Sequence, residues 1–206
     1  MPLHVLDHPI SQDLLLSLRD KATEPDRFRQ LSHRLSLILT LEATRDLPRR
    51  EDTVETPLGP ARGTRIGLEV VVVPVLRAGL GMLDAVLELL PRARVGHIGL
   101  QRDEETAVAS KYYAKIPANL GDARVLVVDP MLATGGSAVS ALDLLRDAGA
   151  RDLHLLCIVA APEGIAAVQA HHPDVHVYTP VVDSHLNARK FIVPGLGDFG
   201  DRLFGT

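Results

Sequence analysis

The chain of 206 residues contains one cysteine, Cys157. A single thiol excludes a disulfide framework within the chain, and its place in the apolar run Leu153 to Ala161 reads as a small buried core residue rather than a nucleophile. None of the nine histidines falls into a spaced Cys/His or His-Glu-x-x-His pattern, and His171-His172 precedes a proline, so no dedicated zinc site is expected. No apolar run approaches the length of a membrane span. The first residues, Met-Pro-Leu-His-Val-Leu-Asp-His, lack a charged region followed by a signal-peptide core, which points to a cytoplasmic protein. Excess positive charge is missing as well. A net charge of -4 and a pI near 6.1 do not give the basic balance of a nucleic-acid-binding domain, so the expected polyanion is a small one. With no long linker or internal repeat, 206 residues at 46% hydrophobic content suit one large domain with a substantial core.

What is present centres on Val125 to Ser137, Val-Leu-Val-Val-Asp-Pro-Met-Leu-Ala-Thr-Gly-Gly-Ser. Four apolar residues fit a strand buried on both faces of a parallel sheet, and Asp129-Pro130 stops it. A Gly-containing turn leads to a helix from Ala138, with Val139, Leu142, Leu144 and Leu145 on its apolar face and Gly149 as its stop. Strand, tight loop and helix start aim backbone N–H groups and a helix dipole at one point, which suits a phosphate. Gly135 and Gly136 let an anion approach the backbone, and the Thr134 and Ser137 hydroxyls add donors. Asp129 would repel a phosphate but can accept hydrogen bonds from sugar hydroxyls or help orient a metal, so the combination suggests a phosphorylated sugar. A plain strand-to-helix turn with good N-cap chemistry is the bland alternative.

Before this stretch, Ser11 is expected to cap a helix carrying Leu14, Leu15 and Leu18, and a second helix to run from Pro25 to about Ala43. Pro48 to Gly67 reads as an extended arm or hairpin. Glu69 to Leu76 predicts a buried strand, turned by Arg77-Ala78-Gly79-Leu80-Gly81 into a helix through about Leu90; Arg77 then sits at the sheet's carboxyl edge, where open α/β folds bind ligands. A strand over Arg94 to Leu100 leads into Gln101-Arg102-Asp103-Glu104-Glu105-Thr106, and the segment from there to the strand at Arg124, with Lys111, Tyr112, Tyr113 and Lys115 before Pro117, is too long for a simple βα turn and suited to a binding loop. Strand Asp152 to Ala161, helix Pro162 to about Ala170 and strand Val175 to Pro180 complete the alternation, which argues for a mostly parallel sheet with helices on its faces. Gly195, Gly197 and Gly200 formally satisfy G-x-G-x-x-G. Too few residues follow to build the helix, strand and acid that a dinucleotide site requires. Such a segment can instead expose backbone donors and acceptors to a flat ligand.

The loop Asp-Pro-Met-Leu-Ala-Thr-Gly-Gly-Ser resembles the ribose-phosphate loop of the type I phosphoribosyltransferases. Many of those enzymes end the strand with two adjacent acids, whereas Asp129 followed by Pro130 resembles the uracil phosphoribosyltransferase branch. Val-Pro-Val-Leu-Arg-Ala-Gly-Leu-Gly-Met-Leu is similar to that branch's second signature, and Pro-Gly-Leu-Gly-Asp-x-Gly-Asp to its uracil-binding segment, so the likeness extends from about Val73 to Arg202. It implies an α/β fold of the type I phosphoribosyltransferase kind: a mostly parallel sheet flanked by helices. Residues 1–67 would form N-terminal helices and a β-arm, 68–180 the core, and 181–206 a C-terminal base-binding hood, all in one domain.

The resemblance also implies roles. Arg77 and Arg102 would contact the diphosphate of 5-phosphoribosyl 1-diphosphate, with Arg102 at the base of a flexible arm. Asp129 would hold the ribose, and Pro130, Met131, Leu132, Ala133, Thr134, Gly135, Gly136 and Ser137 would surround its 5-phosphate. Ile192, Gly197 and Phe199 would contact uracil mainly through the backbone, and Asp198 would lie between base and ribose. Asp129, Arg102 and Asp198 are the catalytic candidates. Phe191 stands where the family commonly has Tyr, so any hydrogen bond from that hydroxyl is lost. Mg2+ is the implied cofactor, held by diphosphate, ribose and water. A homodimer or higher homo-oligomer is implied, and GTP activates some bacterial relatives. No nucleic-acid or membrane partner is expected. The alternatives are a phosphoribosyltransferase for another base, such as a purine, and a regulatory nucleotide-binding or RNA-binding protein that keeps the fold without turnover.

Overall fold

The computed structural model describes residues 1–102 and 109–206, with side chains described for 1–100 and 112–206. The chain opens with a short strand β1 (Leu3–Val5) and two helices, α1 (Pro9–Arg19) and α2 (Pro25–Ala43). The hairpin of β2 (Arg49–Thr56) and β3 (Gly59–Ile66) follows, then β4 (Glu69–Leu76), α3 (Leu80–Leu89), β5 (Arg94–Val95), β6 (His97–Arg102) and β7 (Ala109–Lys115). The second half runs β8 (Ala123–Val128), β9 (Met131–Leu132), α4 (Gly136–Asp147), β10 (Asp152–Leu156), β11 (Val159–Ala160), α5 (Pro162–His171) and β12 (His176–Thr179). A small hairpin, β13 (His185–Leu186) with β14 (Ile192–Val193), and α6 (Phe199–Phe204) end it.

The main sheet has the order β1-β12-β10-β8-β4-β6-β7, with β5 also on β4. Every pairing in it is parallel except β6 with β7. Unbroken valine runs make this possible, because a parallel strand covered on both faces has no polar side to expose. Val70 and Val72 pack toward Leu18, Phe28, Leu31, Leu35 and Leu39 of α1 and α2, while Val71, Val73 and Val75 face Ala138, Leu142 and Leu145 of α4. The three-and-four spacing of those α2 residues puts them on one helical face. The sheet's course reverses between β4 and β8: from β4 the chain moves outward to β6, and from β8 it moves the other way to β10 and β12. That split, at the carboxyl ends of the strands, is where an open α/β sheet leaves a crevice.

Four local expectations change. Ser11 does not cap α1; the helix begins at Pro9 and the His8 ring nitrogen accepts from the Ile10 N–H at 3.2 Å, which leaves Ser11 buried in the first turn. The strand expected over Arg94 to Leu100 is interrupted at Gly96, whose N–H goes to Val72 O, and continues to Arg102. The strand expected over Asp152 to Ala161 leaves the sheet after Leu156 because its neighbour leaves too. Pro130 has no N–H to continue the ladder, and its carbonyl accepts from Ile158 and Val159 at 2.9 and 3.0 Å, so β9 and β11 pair by themselves. Finally, the N-terminal residues supply an edge strand: β1 lies parallel to β12.

Candidate active site

Two turns meet at the β4/β8 split. Pro74 is in register with Val128, so Arg77 just past β4 and Asp129 just past β8 emerge side by side. Gly79 brings them this close: a Cβ there would lie 2.4 Å from Val128 O and 2.7 Å from Val75 N, so only glycine lets α3 start against the end of β8. The Leu76–Arg77 peptide is cis. Arg77 is well exposed, its guanidinium 3.8 Å from Asp201 and over the Phe204 ring at 5.9 Å. Asp129 is partly buried, its carboxylate taking the Met131 N–H at 3.4 Å. Burial, and then the Asp129 charge, push the Cys157 thiol well up, which keeps it a protonated core residue.

The loop after Asp129 is secured by backbone from the next unit. Ala161 N–H donates to Leu132 O, and Gly135, at φ +84°, starts α4 packed against α5. Gly164 permits that packing, since a Cβ there would lie 2.6 Å from Ala133 O and 2.7 Å from Leu132 O. Sequence reasoning missed Gly164; its only local signal is a glycine in the first turn of a helix.

The opposite wall comes from the C-terminus. Phe199 is buried, with its ring edge-on to Phe28 at 5.1 Å, so its side chain faces the core. Gly195 and Gly197 have φ of +58° and +82°. Asp198 is the N-cap of α6, its Oδ1 accepting from Asp201 N–H at 2.9 Å. Leu186 N–H donates to Glu163, which holds that carboxyl below its ordinary range and ties the hairpin to α5.

One cleft of about 300 Å³ joins these walls. Of the residues singled out from sequence, it gathers Arg77, Asp129, Met131, Ala133, Ser137, Ile192, Gly197, Asp198 and Phe199, together with Phe191. Thr134, Gly135 and Gly136 shape the loop without lining that cleft. Pro130 and Leu132 lie buried behind it, Leu132 in the core. The Arg102 side chain lies outside the described residues. Arg189 and Lys190 also line the cleft, Lys190 with φ +65°; both were missed, because a pair of charges in a loop reads as solvated surface. A hollow of about 440 Å³ lies at the amino end of β4, between Arg50, Ile66 and Leu90, away from the strand ends that gather these groups.

Comparison with known proteins agrees with this geometry. The family model described as uracil phosphoribosyltransferase matches residues 5–206. Uracil phosphoribosyltransferases of Symbiobacterium thermophilum and Dictyoglomus thermophilum are 52% and 51% identical over 203 residues, covering 98% of this chain and 97% and 98% of theirs. A solved protein from Aquifex aeolicus superposes with a TM-score of 0.95 at 35% identity, over 99% of this chain and 98% of its own. The adenine phosphoribosyl transferase of Trypanosoma brucei shares the fold, at a TM-score of 0.59 and 13% identity over 85% of this chain and 80% of its own. With a split-sheet cleft of this composition and likeness over nearly its whole length, the chain belongs to the uracil phosphoribosyltransferase family.

Proposed function

We infer that the cleft at the β4/β8 split is where the chain transfers the 5-phosphoribosyl group of 5-phosphoribosyl 1-diphosphate to N1 of uracil, giving UMP and diphosphate, a step of pyrimidine salvage. The observation that carries this reading is the meeting, in one cleft, of Arg77, the loop after Asp129 and the glycine-rich backbone around Gly197. The C1–O bond breaks with its electron pair leaving on diphosphate, the N1–C1 bond forms, and the N1 proton is lost. Positive character grows on the ribose and negative charge on the leaving group, so positioning and charge stabilisation are the main tasks. In this reading Arg77 and Arg102 take the diphosphate, Asp129 the ribose hydroxyls, and the loop through Ser137 the 5-phosphate. Asp198 stands between base and ribose, and the backbone of Ile192, Gly197 and Phe199 reads the pyrimidine edge.

Mg2+ fits this donor set. Among the described residues no three ligating side chains converge, and Mg2+ takes one or two carboxylates with substrate oxygens and water. Asp129 would be the carboxylate that helps orient it. When bound, the ion would draw off the diphosphate's negative charge.

The same reading makes the chain one cytoplasmic domain that assembles as a homodimer or higher homo-oligomer. No helix among the described residues is long and apolar enough to cross a membrane. Support for assembly comes from the β2–β3 hairpin, which among the described residues pairs with no other strand and exposes Val54, Leu58 and Ile66; an isolated hairpin is marginal in water and gains from a second surface. GTP activation is a further expectation, tested by assay with and without GTP. The deciding experiment offers 5-phosphoribosyl 1-diphosphate, Mg2+ and each free nucleobase in turn. UMP from uracil is the expected product, and preferential turnover of a purine would overturn the reading.

A further inference from the structure

Behind the base-reading wall lies a set of charged side chains with no part in the phosphoribosyl end. Arg19, the last residue of α1, forks onto Asp183 at 2.9 and 2.6 Å, and one of its nitrogens also donates to Gly195 O at 2.6 Å. Asp183 in turn accepts from Gly195 N–H at 2.8 Å. Both peptide groups of Gly195 are therefore taken, by a pair whose carboxylate side chain is only 4% exposed. Arg202 repeats the device one residue on. It donates to Leu196 O at 2.8 Å and to the carbonyls of Leu18 and Asp20 at 2.6 Å, closing the carboxyl end of α1, with its guanidinium stacked over Phe28. Asp183 itself is fastened to β11 by its N–H to Ala160 O.

The next residue differs. Among the described residues, the Gly197 peptide groups have no hydrogen-bond partner, and Gly197 lines the cleft. Peptide units are rigid planes, so fixing those at Gly195 and Leu196 sets the direction in which Gly197 presents its own. Resting on the reading of Ile192 to Phe199 as the base-binding segment, we propose that Arg19, Asp183 and Arg202 are positioning residues for base recognition. They turn the carbonyls of Gly195 and Leu196 away from the cleft, so that the Gly197 backbone is held ready for the pyrimidine edge. Charge-assisted, bidentate bonds suit this task, because they fix direction as well as distance.

The test uses the full chain and three variants, Asp183→Asn, Arg202→Lys and Arg19→Lys. Asp183→Asn should raise KM for uracil about 10-fold or more, since small misplacement of a recognising group is amplified in binding and rate. KM for 5-phosphoribosyl 1-diphosphate should stay within about 2-fold, as expected when only one ligand's binding is lost. Arg19→Lys keeps the charge but not the fork and should fall between. Amide exchange, read without substrate, should speed up at Gly195, whose N–H the clamp holds, and remain unchanged at Gly135 to Ser137. A parallel rise of both KM values, an unmoved uracil KM, or unchanged exchange at Gly195 would overturn the proposal. If Asp183→Asn fails to fold, Arg202→Lys decides by the same readouts. Absence of UMP formation by the unmodified chain would sink the reading of the cleft itself, and amide exchange would still decide the clamp.

Discussion

The two ends of the cleft are built differently. The proposed phosphate-side loop, residues 129–137, hangs from the middle strand of the sheet and is held by backbone: the Pro130 and Leu132 carbonyls take N–H groups of Ile158, Val159 and Ala161, and Gly164 backs against the loop. The proposed base-side segment, residues 192–199, beyond the short pairing of β14 with β13, is held by side chains: Arg19 from the other end of the chain, and Asp183 and Arg202 from 12 and 6 residues away. Backbone support comes with the sheet and tolerates side-chain change. Side-chain support can shift the segment without touching the sheet, which leaves the base end free to vary while the phosphoribosyl end stays fixed.

The largest effect should come at the sheet-borne end. Asp129→Asn keeps size and removes charge where ribose gains positive character, so kcat should fall about 100-fold or more, as when one preorganised electrostatic group is lost. Thermal midpoint should change little, because Asn keeps the size of the side chain and its Oδ1 can still accept the Met131 N–H at 3.4 Å. A kcat within about 3-fold of the parent would remove Asp129 from the chemistry.

A matched glycine pair comes next. Gly135→Val forces a side chain onto φ +84° and onto Ala167 Cβ at 2.7 Å, whereas Gly197→Val meets only Arg202 Cδ at 3.7 Å at φ +82°. Strained backbone of this kind costs about 1–3 kcal/mol. Gly135→Val should raise KM for 5-phosphoribosyl 1-diphosphate and lower the thermal midpoint by strain and overlap together; Gly197→Val should raise KM for uracil about 10-fold and lower the midpoint less, by backbone strain alone. If both variants raise both KM values alike, the two ends are not separately built.

The comparison also explains what could be read from sequence. The loop at Asp129 was legible because its strand, acid, turn and helix are consecutive, and the valine runs of β4 and β8 fixed a parallel sheet by composition alone. Arg77 followed from its place at a strand end. The clamp was not legible: Arg19 and Asp183 are 164 residues apart, and in sequence each by itself reads as an ordinary surface charge. The breaks at Gly96 and after Leu156 were hidden for the same reason, being set by the neighbouring strand's hydrogen bonds rather than by local pattern. Edge strand β1 is only three residues long and carries too short an alternation to announce itself.

The smallest effect should arise farthest from the cleft, at the amino ends of β8 and β10. There Arg124 is shared by Asp46 and Asp152, and His154 bonds Asp152 at 2.9 Å. The His154 hydrogen bond, aided by Arg124, holds the Asp152 carboxyl down to about 2. A carboxylate with a lowered folded pKa adds stability above its unfolded value, near 3.9, and loses it as pH falls from about 4 to about 2. Because the Asp152 side chain is 39% exposed, screening reduces its contribution to about 1 kcal/mol. Denaturant unfolding of the parent and Asp152→Asn should therefore differ by about that much at neutral pH and converge toward pH 2; a gap independent of pH would show that the charge is not the source. Both KM values should stay put. A shift in the uracil KM alone would mean that the base end also leans on this remote network, and the division between sheet-borne and side-chain-borne recognition would have to be redrawn there.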